Sequence, residues 1–227
     1  MKILIGAMQE ELHEIASDLN MKKVEGSIVN EFINEEGTVV LAWIGIGLAN
    51  ASTGLAYLLT KYQGQVEYVI NLGTAGCLDK NELHQGDFVV VENGYYSMAD
   101  STGMGYAYGQ LPSMPAFYTS NQELINKIKA SLDGFKYIVG NTASSDTFFE
   151  SQDKINNFTN RIDAKVSIAE MECTAFMQTA YKFNVPFAAL KIVSDVVGGD
   201  ETNELQFDQF LPKAATDLSI VARRIIN

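Results

Sequence analysis

Pro186–Val193, PFAALKIV, followed by Ser194-Asp195, decides how the chain is read. The run is nearly all apolar, interrupted only by Lys191, and has the length of a strand. Apolar side chains on both alternating sets fit a strand buried on two faces. Just before it, Thr174–Phe183 has helical spacing. After it, Phe207, Phe210, Leu211, Ala214, Ala215, Leu218 and Val221 fall on one helical face. Toward the N-terminus the alternation continues. Lys136–Thr142 reads as a strand, Gln122–Leu132 as a helix and Gly86–Val91 (GDFVVV) as a strand. Val66–Leu72 (VEYVINL) reads as a strand ending in a Gly73-Thr74-Ala75-Gly76 turn, and Leu48–Tyr62 as a helix. Thr38–Ile44 (TVVLAWI) is a strand closed by Gly45 and Gly47. Glu10–Leu19 carries Leu12, Ile15, Ala16 and Leu19 at helical period, and Lys2–Ala7 opens the chain as a buried strand. This alternation predicts an α/β fold, a three-layer α/β/α sandwich around a central mixed, largely twisted sheet. No repeat, low-complexity tract or Pro/Ser-rich linker interrupts it, so residues 1–227 read as one domain.

Composition narrows the function classes. The chain has 227 residues, 47% of them hydrophobic, and a formal net charge of −12. Arginine occurs only at 161, 223 and 224. Such a balance argues against nucleic acid and against a polybasic membrane surface as partners. Cys77 and Cys173 form no CxxC pair, and with His13 and His84 they are too few for a zinc site, so no metal is expected. The opening MKILIGAMQEE lacks a secretory h-region, and no apolar run reaches spanning length. A cytoplasmic protein is expected. Neither G-x-G-x-x-G nor a Walker sequence is present, so no nucleotide cofactor is expected.

In α/β sheets, ligands gather beyond the carboxyl ends of strands, and polar clusters stand at those ends. Glu10-Glu11 follows the first strand. It reads either as a general base for water or as an acidic first helical turn. Glu170 and Glu172 of Glu170-Met171-Glu172 would share one face of an extended segment, or form a solvated strand end. Ser194-Asp195 reads either as a buried acid held protonated by desolvation or as a helix cap. The glycines of Gly45-Ile46-Gly47 and Gly73-Thr74-Ala75-Gly76 allow close backbone approach to a ligand, or simply turn the chain. Phe148-Phe149 could stack a heterocycle or fill the core. Gly103–Pro115 (GMGYAYGQLPSMP) has few charges and the composition of an interface.

The order and spacing of MKILIGAMQEEL, WIGIGLANAS, VINLGTAGCL, GYAYGQLP, SSDTFF, AEMECTAF and VPFAALKIVSD are more specific than any one cluster. Together they resemble the 5′-methylthioadenosine/S-adenosylhomocysteine nucleosidases, over nearly the whole chain. The resemblance implies the phosphorylase/nucleosidase fold and hydrolysis of an N-glycosidic bond, within methionine salvage. It implies that Glu11 activates water, that Glu172 holds the ribose hydroxyls above Met171, and that Asp195, beside Ser194, protonates adenine N7. Phe148 would stack on adenine, and the backbone of Phe149 would meet its edge. Met8, Ile46, Thr74, Ala75 and Gly76 would line the pocket, with Phe207 over the alkylthio end. Met104, Tyr106 and Pro112 would come from the second subunit of a homodimer. Two positions depart from the pattern. Lys191 stands where many members carry an Arg that supports the water, which predicts weaker water positioning or an altered substrate preference. Val196–Leu205 is slightly longer than usual, which bears on the 5′ pocket.

Two rival readings remain at this point. A phosphorylase of the same fold would need cationic phosphate donors, and no arginine falls in a matched segment. A non-catalytic purine-nucleoside binder would not need Glu11, Glu172 and Asp195 together.

Overall fold

The computed structural model describes residues 1–197 and 202–226. In chain order the elements are β1 (Lys2–Gly6), α1 (Gln9–Asp18), β2 (Lys22–Lys23), β3 (Asn30–Ile33), β4 (Val39–Trp43) and α2 (Leu48–Lys61). There follow β5 (Tyr68–Cys77), β6 (Phe88–Tyr96), β7 (Tyr118–Thr119), α3 (Gln122–Ser131), β8 (Tyr137–Ser144) and α4 (Gln152–Asn157). The chain ends in β9 (Ile168–Glu170), α5 (Cys173–Phe183), β10 (Phe187–Val196) and α6 (Asn203–Ile226).

The strands form one mixed sheet in the order β10-β6-β8-β9-β5-β1-β4-β3-β2, with β7 beside β6. β10 also pairs with β5, so β10, β6, β8, β9 and β5 close into a ring from which the remaining strands extend. Helices cover both faces. Leu4, Leu41, Ile70, Leu190 and Ile192 pack toward one side with residues of α1, α3 and α6. Ile3, Ile5, Val40, Val69, Ala189 and Val193 pack toward the other with residues of α2 and α5. Alternate residues of a strand face opposite ways, which is why PFAALKIV needs apolar side chains at both sets of positions.

Two expectations about strand ends need correction. Gly73-Thr74-Ala75-Gly76 is not a turn: β5 runs straight through it to Cys77. Glycine there leaves room for the two carboxylates. A Cβ on Gly73 would stand 3.1 Å from Glu11 Oε1, and one on Gly76 would stand 2.9 Å from Asp195 Oδ2. Likewise, Ser194-Asp195 does not cap a helix but lies within β10. The register against β5 slips between Val193 and Asp195, so Asp195 rather than Ser194 sits opposite Gly76. A bulge of this kind re-aims a side chain at the cost of one ladder position. Of the loop over 196–205, residues 198–201 lie outside the described residues.

Candidate active site

A cavity of about 420 Å³ opens at the carboxyl ends of the strands. Met8 follows β1, Ile46 follows β4, Thr74, Ala75 and Gly76 come from β5, and Phe148 and Phe149 follow β8. Met171 and Glu172 follow β9, Ser194 and Asp195 end β10, and Phe207 comes from the start of α6. These residues and Glu11 are thirteen of the positions named from sequence.

Glu11 sits in the first turn of α1, behind the extended Met8. Its neighbour Glu10 is exposed, whereas Glu11 is buried. The cause lies in β5. On one edge of that strand, pairing with β1 ends at Asn71 and pairing with β9 begins at Gly76. In the gap, the Thr74 N–H has no strand partner and donates to Glu11 Oε1 at 2.7 Å. The Thr74 hydroxyl donates to the same oxygen at 2.7 Å. A buried N–H left unpaired would cost about 1–3 kcal/mol, so the split in the sheet and the inward carboxylate stabilise one another.

Asp195 is 1% exposed. Ser194 Oγ donates to its Oδ1 at 2.7 Å, and Asn203 Nδ2 donates to its Oδ2 at 2.6 Å. Burial pushes its pKa up, and the two donors only partly offset this. The carboxyl is thus biased toward its protonated form, as an acid needs.

The Glu170-Met171-Glu172 triplet is not one extended segment. β9 ends at Glu170, and Glu172 is the N-cap of α5. The two carboxylates accordingly do different work. Glu170 Oε2 accepts from the N–H groups of Glu172 (2.9 Å) and Cys173 (2.6 Å) at the start of α5. Its Oε1 accepts from the hydroxyls of Ser144 and Thr142. Lys191 Nζ lies 3.3 Å from Glu170 Oε2. Burial alone would push the Lys191 ammonium down, but Glu170, with Glu172 and Glu11, outweighs it and holds it up. Lys191 is buried beneath the site and is not on the cavity wall.

Glu172 reaches across to the N-terminus of α2, where Gly47 N–H donates to its Oε1 at 2.8 Å. Burial, then the neighbouring Glu170 charge, pushes its pKa up to about 8 against the pull of Lys191 and Gly47. A carboxyl whose folded pKa exceeds its unfolded one binds more protons when folded. Stability therefore falls as pH rises from about 4.5 toward about 8. Glu172→Gln should flatten the fall in melting temperature over that window. An unchanged slope in that variant would place the titration elsewhere.

The other residues named from sequence lie off this chain's cavity. Met104 and Pro112 are exposed and Tyr106 is half-buried. Their loop is braced by its own chain. Arg161 lies 3.8 Å over the Tyr108 ring and pairs with Asp100 at 2.7 Å, while Tyr108 OH donates to Ser97 O. The cavity wall also contains Glu170, Glu204 and Asp208. Glu204 and Asp208 bracket Phe207 at one-turn helical spacing, a signal that could have been read from sequence.

Thus an acid-lined cavity sits at the split of a mixed sheet, with two buried acids, Asp195 and Glu172, biased toward protonation. The family model described as "Phosphorylase superfamily" matches residues 2–227. The 5′-methylthioadenosine/S-adenosylhomocysteine nucleosidase of Staphylococcus aureus is 33% identical over 229 residues, covering 99% of this chain and 98% of the relative. The nucleosidase of that name from Neisseria meningitidis, solved with methylthio-immucillin-A, superposes with a TM-score of 0.88 at 30% identity, covering 99% and 97%. One from Colwellia psychrerythraea, solved with adenine, gives 0.90 at 28% identity, covering 99% and 93%. The chain belongs to the 5′-methylthioadenosine/S-adenosylhomocysteine nucleosidase family of the phosphorylase superfamily.

Proposed function

We propose that the protein hydrolyses the N-glycosidic bond of 5′-methylthioadenosine and S-adenosylhomocysteine, releasing adenine and the 5′-thioribose for methionine salvage in the cytoplasm. The observation that carries this reading is the sign of the cavity wall. Glu11, Glu170, Glu172, Asp195, Glu204 and Asp208 line it, and no Lys or Arg does among the described residues. A phosphorylase must bind phosphate next to the sugar, and this wall offers it no cationic side chain among the described residues. Two of the N–H groups that open α2 are already engaged, with Gly47 donating to Glu172 and Leu48 to Asp146. Water needs no cationic cradle.

Asp195 gives its proton to adenine N7 as the C1′–N9 bond breaks, and the bonding pair leaves with the base. Water attacks C1′ from the opposite side and passes a proton to Glu11. Such opposed acid and base follow the logic of an inverting glycosidase. The ribose 2′- and 3′-hydroxyls donate to Glu172 above Met171. Phe148 stacks on the base, the Phe149 backbone meets its edge, and Phe207 covers the alkylthio group. Lys191 acts indirectly, by neutralising Glu170 behind Glu172. A homodimer would supply Met104, Tyr106 and Pro112 from the partner's 103–115 loop, already shaped by Arg161 and Tyr108. A non-catalytic binder would not need Glu11, Glu172 and Asp195 together on one cavity.

Adenine release from both thionucleosides, with and without phosphate, tests this. Equal rates without phosphate and a free thioribose product are expected. Dependence on phosphate, with a ribose 1-phosphate product, would establish phosphorolysis instead.

A further inference from the structure

Asn203 is the first residue of α6 and is only 3% exposed. Its Nδ2 donates to Asp195 Oδ2 at 2.6 Å, and this contact is held in place by its surroundings. Val196 N–H donates to Gln206 Oε1 at 3.0 Å. Gln85 Nε2 donates to the Ser194 carbonyl at 2.7 Å and to the Gln206 carbonyl at 3.2 Å. The first turn of α6 is therefore pinned to the end of β10, with the Asn203 amide directed at the acid.

A donor to a neutral carboxyl is an ordinary hydrogen bond. When the proton leaves, the same contact becomes charge-assisted and roughly twice as strong. An interaction that strengthens as the reaction proceeds raises kcat rather than affinity. Among the described residues, the charged groups around Asp195 give the forming carboxylate no help. Glu204 on α6 opposes its ionisation. Asp208 on α6, Glu11 on α1, and Glu170 and Glu172 beside β9 and α5 are all acids on the same cavity. Lys191 of β10 is engaged with Glu170. The neutral donors Ser194 and Asn203 are what oppose this field.

We propose that Asn203 is a positioning residue of the reaction, orienting Asp195 and stabilising the carboxylate that forms as its proton passes to the leaving base. This rests on the reading of Asp195 as the acid. The test uses the full chain with Asn203→Leu, which keeps the volume, and Asn203→Ala, which keeps the proposal testable should Leu misfold. Both should lower kcat about tenfold to a hundredfold, the effect of one hydrogen bond to a charged group, with KM within about threefold. Both should also move the alkaline limb of the kcat/KM profile to higher pH, because a donor that favours ionised Asp195 is gone. A variant that only loses melting temperature, with kcat and the alkaline limb unchanged, would overturn the proposal. Wild-type protein run alongside separates the two levels. If it releases no adenine without phosphate, the hydrolytic reading fails. If it hydrolyses and the variants match it, only the role of Asn203 fails.

Discussion

Asp195→Asn is expected to lower kcat for adenine release by about 10²–10⁴-fold, the usual contribution of a positioned acid. KM should change only severalfold, because on the proposed reading the ribose and alkylthio contacts, and the ring that stacks on the base, belong to other residues of the cavity. The change is close to isosteric, and the site can absorb it. Gly76 leaves space opposite the side chain, and Ser194 and Asn203 supply polar neighbours. What the amide lacks is a proton acidic enough to transfer to the base. Adenine is a poor leaving group as an anion, so the ribosyl bond must break without neutralisation of the departing charge. Single-turnover adenine release, with an inhibitor titration to confirm an intact site, measures both quantities. Near-normal turnover would remove Asp195 from the role of acid.

Lys191→Met is expected to destabilise the fold by about 3–5 kcal/mol, the cost of removing one partner of a buried ion pair. Lys191 lies in β10 between β5 and β6, opposite Gly73 and Val89, where the sheet is closed on both sides. Its position in the alternation is that of Ala189 and Val193, which are core residues. Without the ammonium, the Glu170 charge is left buried beside Glu172 with only hydroxyl and backbone donors. Adding Glu170→Gln should restore part of the loss, since the double variant no longer buries a lone charge. Denaturant melts of the two single variants and the pair give the coupling. A cost under about 1 kcal/mol for Lys191→Met would mean that the donors at the start of α5 hold the Glu170 carboxylate unaided.

The same lysine shows where sequence reasoning stopped. Lys191 was expected at the water site, since the family often has Arg there. Instead, its ammonium lies behind the cavity on Glu170. From the sequence, Glu170 reads either as half of a carboxylate pair on one strand face or as part of a solvated strand end. It instead caps α5, which leaves Glu172 to face the ligand side. Neither partner is near Lys191 in sequence, so periodicity held no trace of the pair. An Asn before a helical stretch normally signals a cap, so Asn203 carries no local sign of its contact with Asp195.

Local order was legible because it depends on local causes. Burial on two faces demanded the continuous apolar strands, and helical spacing marked α1, α2 and α6 to within a few residues. The ordered motifs were enough to name thirteen residues that meet at one cavity. Tertiary structure alone decided what the glycines and acids do. The passage of β5 through Gly73–Gly76, the slip in β10 at Asp195 and the opening between β1 and β9 each depend on contacts between strands distant in the chain. Desolvation works the same way. The sequence supplies carboxylates, but only the packing around Asp195 and Glu172 shifts them toward their protonated forms, because the cost of a charge is set by what surrounds it.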